Sequence, residues 1–264
     1  MKKLLKLMLG RKLSEQIFFL RRALFPTQLE KDIKITEQQE INNRKLFYSK
    51  FVNENDLCFD VGANFGNRIE PLLNIGARVV AVDPQIDCCE YLNNKFGKSI
   101  EIVNAGLGES ECEKDFYISD ASTLSSFSTE WVESVKKTRF KQYNWDKKVK
   151  VRMTTMDILI KEFGVPEFIK IDVEGYELEV LKGLNQKIKM ISFEYVVPEH
   201  TESVIKCIER IEQNDANIEC NYSVGESMNF ELTTWMTSSE MKIHVLSQEF
   251  TLTDFGDIYI RAKA

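Results

Sequence analysis

The chain lacks several features that would place it in common classes of protein. It has 264 residues, but no apolar segment is long enough to span a bilayer, so we expect no transmembrane helix. None of its six cysteines falls in a CxxC or zinc-type spacing, which favours reduced, mostly buried thiols in a cytoplasmic protein. The net charge of -6 argues against a nucleic-acid binder. What remains is a chain long enough to bury one substantial core.

The first 49 residues are unusual because lysine and arginine interleave with leucine. Apolar side chains at helical spacing form one stripe, at Leu13, Ile17, Leu20 and Leu24. The sequence therefore predicts a basic amphipathic helical arm over residues 1–49. Lys6 interrupts the apolar run and no small-residue cleavage site follows, so we do not predict a signal peptide. Two interpretations stay open: the arm packs on the catalytic domain or a partner subunit, or residues 1–25 rest on the inner face of an anionic membrane.

Residues 50–264 alternate between strand and helix patterns. Strands are predicted over 56–61, 77–82, 100–104, 168–173, 190–196, 218–224 and 257–261. Helices are predicted over 35–51, 67–75, 87–96, 155–163, 176–184 and 203–211. Buried strands that alternate with helices indicate an α/β fold, with a mostly parallel sheet covered by helices on both faces.

Residues 109–150 interrupt this alternation with a polar stretch rich in serine and threonine. Its aromatic residues include Trp131, Tyr143 and Trp145. An irregular insertion in a regular fold is often functional, so we predict a mobile lid over the substrate. Core packing of the same aromatic side chains is the alternative.

A glycine-rich turn follows the first strand of this domain. The sequence DVGANFGN at 60–67 comes after an apolar run and leads into a helical pattern. Gly62 and Gly66 permit close approach of the backbone to a ligand, and the following helix offers backbone N–H groups. Asp83 ends the second strand, about 20 residues beyond the first glycine, where a carboxylate would grip a ribose. Asp60 would repel a pyrophosphate, so the turn favours a nucleoside that carries positive charge.

Further acids stand where later strands end. Asp172 and Glu174 follow the fourth strand, and Glu194 lies near the end of the fifth. Because the carboxyl ends of parallel strands meet at one edge of the sheet, we expect these acids near Asp60 and Asp83 in one crevice.

With these motifs in order, the chain resembles the FkbM family of S-adenosylmethionine-dependent methyltransferases. The resemblance rests on DVGANFGN at 60–67, VDP at 82–84, VNAGLG at 103–108, TTMDIL at 154–159, IKIDVEGYELEVLKGL at 169–184, SFEY at 192–195 and GDIYI at 256–260. It implies a class I methyltransferase (Rossmann-like) fold, whose seven-stranded sheet has an antiparallel last strand. It also implies methyl transfer to a hydroxyl of a saccharide or glycan, or of a polyketide-like metabolite.

The resemblance also implies roles for individual residues. The methionine end of S-adenosylmethionine would be held by Asp60, Gly62, Asn64, Gly66 and Asn67. Asp83 would bind the ribose, and Asn104 and Ala105 would border the adenine.

Asp172 and Glu174 would then face the methyl group and the acceptor. A hydroxyl acceptor must lose a proton, so a carboxylate or histidine at this edge is the natural base. Residues that alternate on an extended segment point to opposite faces, which favours Asp172 over Glu174 unless the Gly175 turn twists the chain. Glu194 and His200 are further candidates.

Structural roles compete with these assignments. Asp172 and Glu174 would also suit the N-terminus of the following helix, and Glu194 would suit a structural hydrogen bond. We predict no metal; magnesium held by Asp172, Glu174 and Glu194 is the alternative hypothesis.

Two other classes of function remain open. A nicotinamide-dependent oxidoreductase would require GxGxxG, but Gly62 and Gly66 are separated by three residues. A non-catalytic scaffold with this fold would show an eroded pocket, whereas each expected acid and glycine is present. A basic arm suits a membrane-tethered glycan, so we favour a saccharide acceptor.

Overall fold

The structure, a computed structural model, describes residues 28–263. Helix α1 spans Gln28–Tyr48. The predicted membrane contact of residues 1–25 lies outside the described residues. The chain divides into two compact units between Asn43 and Arg44. Within the described part of the chain, no helix combines the length and apolar composition needed to cross a bilayer.

Strands and helices alternate through most of the second unit, as the sequence predicts. Along the described chain the strands are β1 (Leu57–Val61), β2 (Arg78–Val82), β3 (Glu101–Val103), β4 (Gly106–Leu107), β5 (Cys112–Ile118), β6 (Lys147–Thr154), β7 (Phe168–Ile171), β8 (Met190–Val196), β9 (Ile218–Val224), β10 (Met236–Thr237) and β11 (Phe255–Ala262). The helices after α1 are α2 (Ile69–Leu73), α3 (Ile86–Phe96), α4 (Thr129–Val135), α5 (Met156–Phe163), α6 (Glu177–Lys182), α7 (Thr201–Asn214), α8 (Ser238–Val245) and α9 (Gln248–Thr251).

The main sheet has eight strands in the order β10-β9-β11-β8-β7-β1-β2-β3. Neighbours from β3 to β8 pair in parallel, and β11 pairs antiparallel with both β8 and β9. The predicted class I fold with an antiparallel last strand is thus confirmed, and the two-residue strand β10 adds an eighth strand at one edge. The strand order reverses between β1 and β7, which is where ligands bind in open α/β sheets.

The central strands are apolar because both faces of the sheet are covered. All residues of β1 and β7 are buried. Along β1, Phe59 belongs to an apolar cluster with side chains of α5, α6 and α7, whereas Cys58 belongs to a second cluster with side chains of α1, α2 and α3. Successive side chains of a strand point to opposite faces, so helices lie on both sides of the sheet, as predicted.

The insertion at 109–150 is folded around aromatic side chains of its own. Strand β5 pairs with β6 in a second sheet of order β4-β6-β5. Trp131 and Trp145 are 1% and 5% exposed, and their rings meet edge to face in a small cluster with residues of α4. Trp131, Trp145 and the neighbouring Tyr143 therefore pack together, which is the core packing given above as the alternative. The role of the insertion as a lid stays a prediction.

Two regions differ from the sequence prediction. The apolar residues at 149, 151 and 153 alternate with polar ones as in an edge strand, but they lie in β6, the central strand of the second sheet. The segment between β9 and β11 has no predicted strand or helix, but it contains β10, α8 and α9. Helix α8 begins with a capping box between Thr237 and Glu240, and its buried face contains only Ser238, Met241 and Val245, too few apolar residues to give a clear helical pattern.

Candidate functional site

A cleft of about 240 Å³ opens at the carboxyl ends of the central strands, beside the reversal in strand order. It brings together most of the predicted site residues, namely Gly62, Asn64, Asn67, Asp83, Ala105, Asp172, Glu174 and Glu194. Four predicted residues lie outside its lining, namely Asp60, Gly66, Asn104 and His200. The functional roles of all twelve stay predictions.

The glycine turn is shaped by the protein itself. Gly62 has φ +83°, and a Cβ there would lie 1.8 Å from the backbone oxygen of Asp172 at the end of β7. The backbone N–H groups of Gly62 and Ala63 donate to Val82 O at 2.9 and 3.1 Å. The amide of Asn64 donates to Asp83. These amides bind the turn to the end of strand β2, so they are not free to donate hydrogen bonds to a ligand.

Asp83 is the best-held polar group of the cleft. Its carboxyl oxygens accept the backbone N–H groups of Asn64 and Gln85, each at 2.8 Å. The side chain is 2% exposed, and burial raises its pKa to about 6 despite these two hydrogen bonds. Each carboxylate oxygen can accept more than one hydrogen bond, so Asp83 retains capacity for hydroxyl groups of a ligand.

Three of the predicted cofactor residues support the cleft from outside it. The Asn104 amide donates to Asp83 O at 3.0 Å and so fixes the loop after β3. A Cβ on Gly66 would lie 2.7 Å from a methyl carbon of Leu92, which indicates that the close packing of α3 requires this glycine. Asp60 is 1% exposed, and neither of its carboxyl oxygens has a hydrogen-bond partner among the described residues.

A buried ion-pair network lies below the cleft at the end of β7. Asp172 forms ion pairs with Arg68 and, at 3.6 Å, with Lys170. Lys170 also pairs with Asp257 of β11. Burial alone would raise the pKa of Asp172, but the charges of Lys170 and Arg68 hold it below its ordinary value. Asp172 is thus a stabilised carboxylate with two cationic partners, which makes it a weaker proton acceptor than a free one.

Glu174 reaches the same cleft because the chain turns sharply after β7. Glu174 has φ +54° and Gly175 has φ +80°, so the alternation of an extended strand stops at this point. The turn is held by Ser126 Oγ, which donates to Glu174 O at 2.6 Å, and by Glu177, whose carboxyl accepts the Val173 and Gly175 amides. Because the backbone turns here, the alternation of side chains along a strand no longer favours Asp172 over Glu174 as the acid that faces the cleft.

Asp172, Glu174 and Glu194 form a cluster whose carboxyl oxygens lie within 4.8 Å of one another. The side chains of Glu174 and Glu194 make no hydrogen bond or ion pair within the described part of the chain. Burial first, and then the negative charge of Asp172, raises the pKa of both. Oxygen ligands of this kind suit magnesium. However, Arg68 and Lys170 already place two positive charges beside Asp172, which reduces the attraction for a further cation.

His200 directly precedes α7 and does not line the main cleft. It lines a separate small cavity together with Trp131 and Glu194. The Nε2 atom of His200 and the Nε1 atom of Trp131 are both buried without a hydrogen-bond partner among the described residues. Burial lowers the pKa of His200, which favours the neutral ring. Contact of His200 with an acceptor in the main cleft is therefore not supported by this position.

Sequence reasoning missed the cations that organise the site. Lys170 is 2% exposed in the middle of the apolar strand β7, and a buried lysine requires a partner acid, which was a usable signal. Arg68 directly follows the glycine turn, but its partner Asp172 is 104 residues away and no local pattern joins them.

Comparison with known proteins gives an independent description of the chain. The methyltransferase FkbM domain matches residues 60–224. The hexuronic acid methyltransferase AglP of Haloferax volcanii is 27% identical over 143 residues, which are 53% of this chain and 54% of that protein. The match therefore spans about half the length of this relative.

Solved structures of methyltransferases align over most of the chain. A precorrin-6y C5,15-methyltransferase from Geobacter metallireducens has a TM-score of 0.43 and 12% identity, over 84% of this chain and 86% of that one. An O-methyltransferase from Bacillus cereus, solved with S-adenosylhomocysteine, has a TM-score of 0.39 and 11% identity, over 93% of this chain and 96% of that one.

Proposed function

The chain belongs to the FkbM methyltransferase family, and from this premise we propose that it transfers a methyl group from S-adenosylmethionine to a hydroxyl oxygen of a saccharide. Family membership makes it an S-adenosylmethionine-dependent methyltransferase and not a nicotinamide oxidoreductase. The observation that carries the oxygen acceptor is the position of Glu194, whose unpaired carboxyl borders both the cofactor cleft and a second cavity.

The residues of the cleft fit the cofactor. Asp83 presents a fixed, buried carboxylate at the end of β2, which suits the hydroxyl groups of a ribose. At the opposite side of the cleft, the acids at the ends of β7 and β8 suit a sulfonium cation. Among the described residues that line the cleft, the one basic side chain is Arg68, which is engaged with Asp172 and therefore offers no cradle for a pyrophosphate.

Once bound, S-adenosylmethionine supplies a methyl group that is electrophilic without activation by the protein. The protein must then hold the acceptor oxygen in line with that group and remove the hydroxyl proton. We assign proton removal to Glu194, since its carboxyl has no ion pair with any described residue and its pKa is raised by burial. Asp172, with its two cationic partners, instead holds the end of β7 in place.

A saccharide is the favoured acceptor class. AglP is named as a hexuronic acid methyltransferase, and this activity of a relative supports the class. A polyketide-like metabolite, the second acceptor class implied by the family resemblance, has no comparable support.

Calorimetric titration tests the cofactor, and radiolabelled transfer tests the acceptor. We expect heat on addition of S-adenosylmethionine and none with NADH. We then expect label from the methyl group on the oxygen of a glycoside, identified by mass spectrometry. Binding of the cofactor without transfer to glycosides, but with transfer to polyketide alcohols, would overturn the saccharide assignment.

Affinity for the cofactor is expected to depend on Asp83 and on pH. The carboxylate form must accept the ribose hydroxyls, and its pKa is about 6 in the folded protein. The dissociation constant for S-adenosylhomocysteine should therefore rise as the pH falls through 6. Substitution Asp83→Asn should weaken binding about tenfold or more at pH 7.5, because a charge-assisted hydrogen bond is lost. The same titration with Asp83→Asn should show a flatter pH dependence, and an unchanged slope would contradict the assignment.

Removal of divalent cations is expected to leave the methyl transfer rate unchanged. Lys170 and Arg68 supply the positive charge that a metal would otherwise provide at Asp172. The measurement is the initial rate before and after exhaustive chelation, followed by addition of magnesium. A loss of rate that magnesium restores would replace this interpretation with a magnesium site at Asp172, Glu174 and Glu194.

A further inference from the structure

A second cavity, of about 750 Å³, adjoins the cofactor cleft and shares Glu174 and Glu194 with it. This volume lies within the range of small-molecule sites, about 300–1,000 Å³. We call it the acceptor cavity. Because the two carboxyls form the border between the spaces, a molecule in the acceptor cavity would place a hydroxyl beside Glu194 and near the reactive end of the cofactor.

The wall of the acceptor cavity is largely apolar and aromatic. Phe140 and Trp131 come from the insertion, and Phe255 begins β11. Phe255 is 40% exposed, so its ring is available to an incoming molecule. Apolar walls with a few polar groups are typical of small-molecule sites, and ring faces suit the C–H faces of a sugar.

Among the described residues that line this cavity, Arg139 is the one basic side chain, and acidic side chains occupy its donors. Its Nε and Nη2 atoms donate to Glu199 at 3.1 and 2.8 Å, and its Nη1 atom lies 2.6 Å from Asp254. Nη2 also donates to Val197 O at 2.6 Å. Most of the guanidinium is therefore unavailable for a carboxylate of the acceptor.

The described residues that line the acceptor cavity carry a net negative charge whether or not Glu174 and Glu194 are protonated. Glu199 and Asp254 outnumber Arg139 even when Glu174 and Glu194 are both protonated. An anion in this cavity would lose its hydration and find no unpaired cation among these residues, which is costly. A neutral or cationic molecule meets no such penalty.

We propose that the acceptor cavity binds the methyl acceptor and selects a hydroxyl compound without negative charge. A neutral or amino sugar fits this site, and a uronic acid does not. The inference rests on the proposed methyl transfer to a saccharide, and it specifies the charge of that saccharide.

Three methyl glycosides of one ring configuration test the inference: a glucoside, a glucosaminide and a glucuronide. Ligand-observed NMR on the full chain with saturating S-adenosylhomocysteine should give dissociation constants at least about tenfold weaker for the glucuronide than for the other two. Phe255→Ala should weaken binding of the glucoside and leave calorimetric binding of the cofactor unchanged.

A variant that removes two negative charges from the cavity provides the matched test. Glu199→Gln combined with Asp254→Asn keeps the side-chain volumes and frees Arg139, so affinity for the glucuronide should rise about tenfold. Stronger binding of the glucuronide than of the glucoside to the unmodified chain would overturn the inference. So would failure of the glucoside to bind, or insensitivity of its binding to Phe255→Ala. Methyl transfer to the glucuronide in preference to the glucoside would overturn the charge selection but leave the proposed transfer to saccharides intact. Cofactor binding with transfer to no saccharide would instead refute the proposed function itself.

Discussion

Substitution Glu194→Gln is expected to lower kcat for methyl transfer by about 10²–10⁴, the usual contribution of a general base. Glutamine keeps the shape of the side chain but cannot accept the hydroxyl proton. The carboxyl stands on strand β8, where it borders both the cofactor cleft and the acceptor cavity. Affinity for S-adenosylhomocysteine, which lacks the positive charge of the sulfonium, should change little, because the proton is removed from the acceptor and not from the cofactor. Initial rates at saturating cofactor, with calorimetry of the same variant, measure the two effects.

The pH dependence of the rate gives a second, independent measure. A base must be deprotonated, so kcat should rise with pH through the pKa of Glu194, which burial and the charge of Asp172 raise above its ordinary value. The charge of Glu174 also raises this pKa, so Glu174→Gln should move the rise in kcat to lower pH. Glu209→Gln, at an exposed position of α7, is the matched control and should change neither quantity. A Glu194→Gln enzyme with the kcat of the unmodified protein would transfer the role of base to Glu174.

The position of the cleft was predictable because it depends on strong local patterns. The apolar runs that form β1 and β7 are buried on both faces, and such strands align with their carboxyl ends at one edge. Asp83 could be placed because it directly follows β2, and the position of a strand end fixes its side chains to within one or two residues. The glycine turn was likewise placed correctly, although the backbone of Asp172 alone leaves no room for a side chain at Gly62, with or without a ligand.

The roles of the acids could not be ranked from the sequence because those roles depend on distant partners and on backbone rotation. Period-two alternation favoured Asp172 over Glu174, but the positive φ at Glu174 cancels that rule. The pairing of Asp172 with Arg68 joins two segments that only the folded sheet brings together. The acceptor cavity also could not be predicted from the sequence, because α4, β8 and the start of β11 each contribute part of its wall.

Substitution Asp172→Asn is expected to destabilise the protein by about 3–5 kcal/mol, as happens when one partner of a buried ion pair is removed. Lys170 is buried and the Arg68 side chain is only 13% exposed, so the loss leaves positive charge in a region of low polarity. Lys170 keeps its ion pair with Asp257, whereas Arg68 loses its ion pair and keeps the more distant charges of Asp60 and Asp257. The free energy of unfolding from urea denaturation, followed by circular dichroism, is the measurement. The bound cofactor should partly restore stability, because ligands that bind only the folded state shift the equilibrium towards it.

Asp115→Asn is the matched control, since Asp115 also pairs with two cations, Lys148 and Lys150, but at the surface of the second sheet. Solvent screens that network, so the control should unfold at nearly the same urea concentration as the unmodified protein. The comparison separates the two roles of Asp172. A stable Asp172→Asn protein with a normal affinity for cofactor and a greatly reduced kcat would return the role of base to Asp172. A destabilised variant whose folded fraction still transfers methyl groups would establish that this carboxylate holds the end of β7 in place.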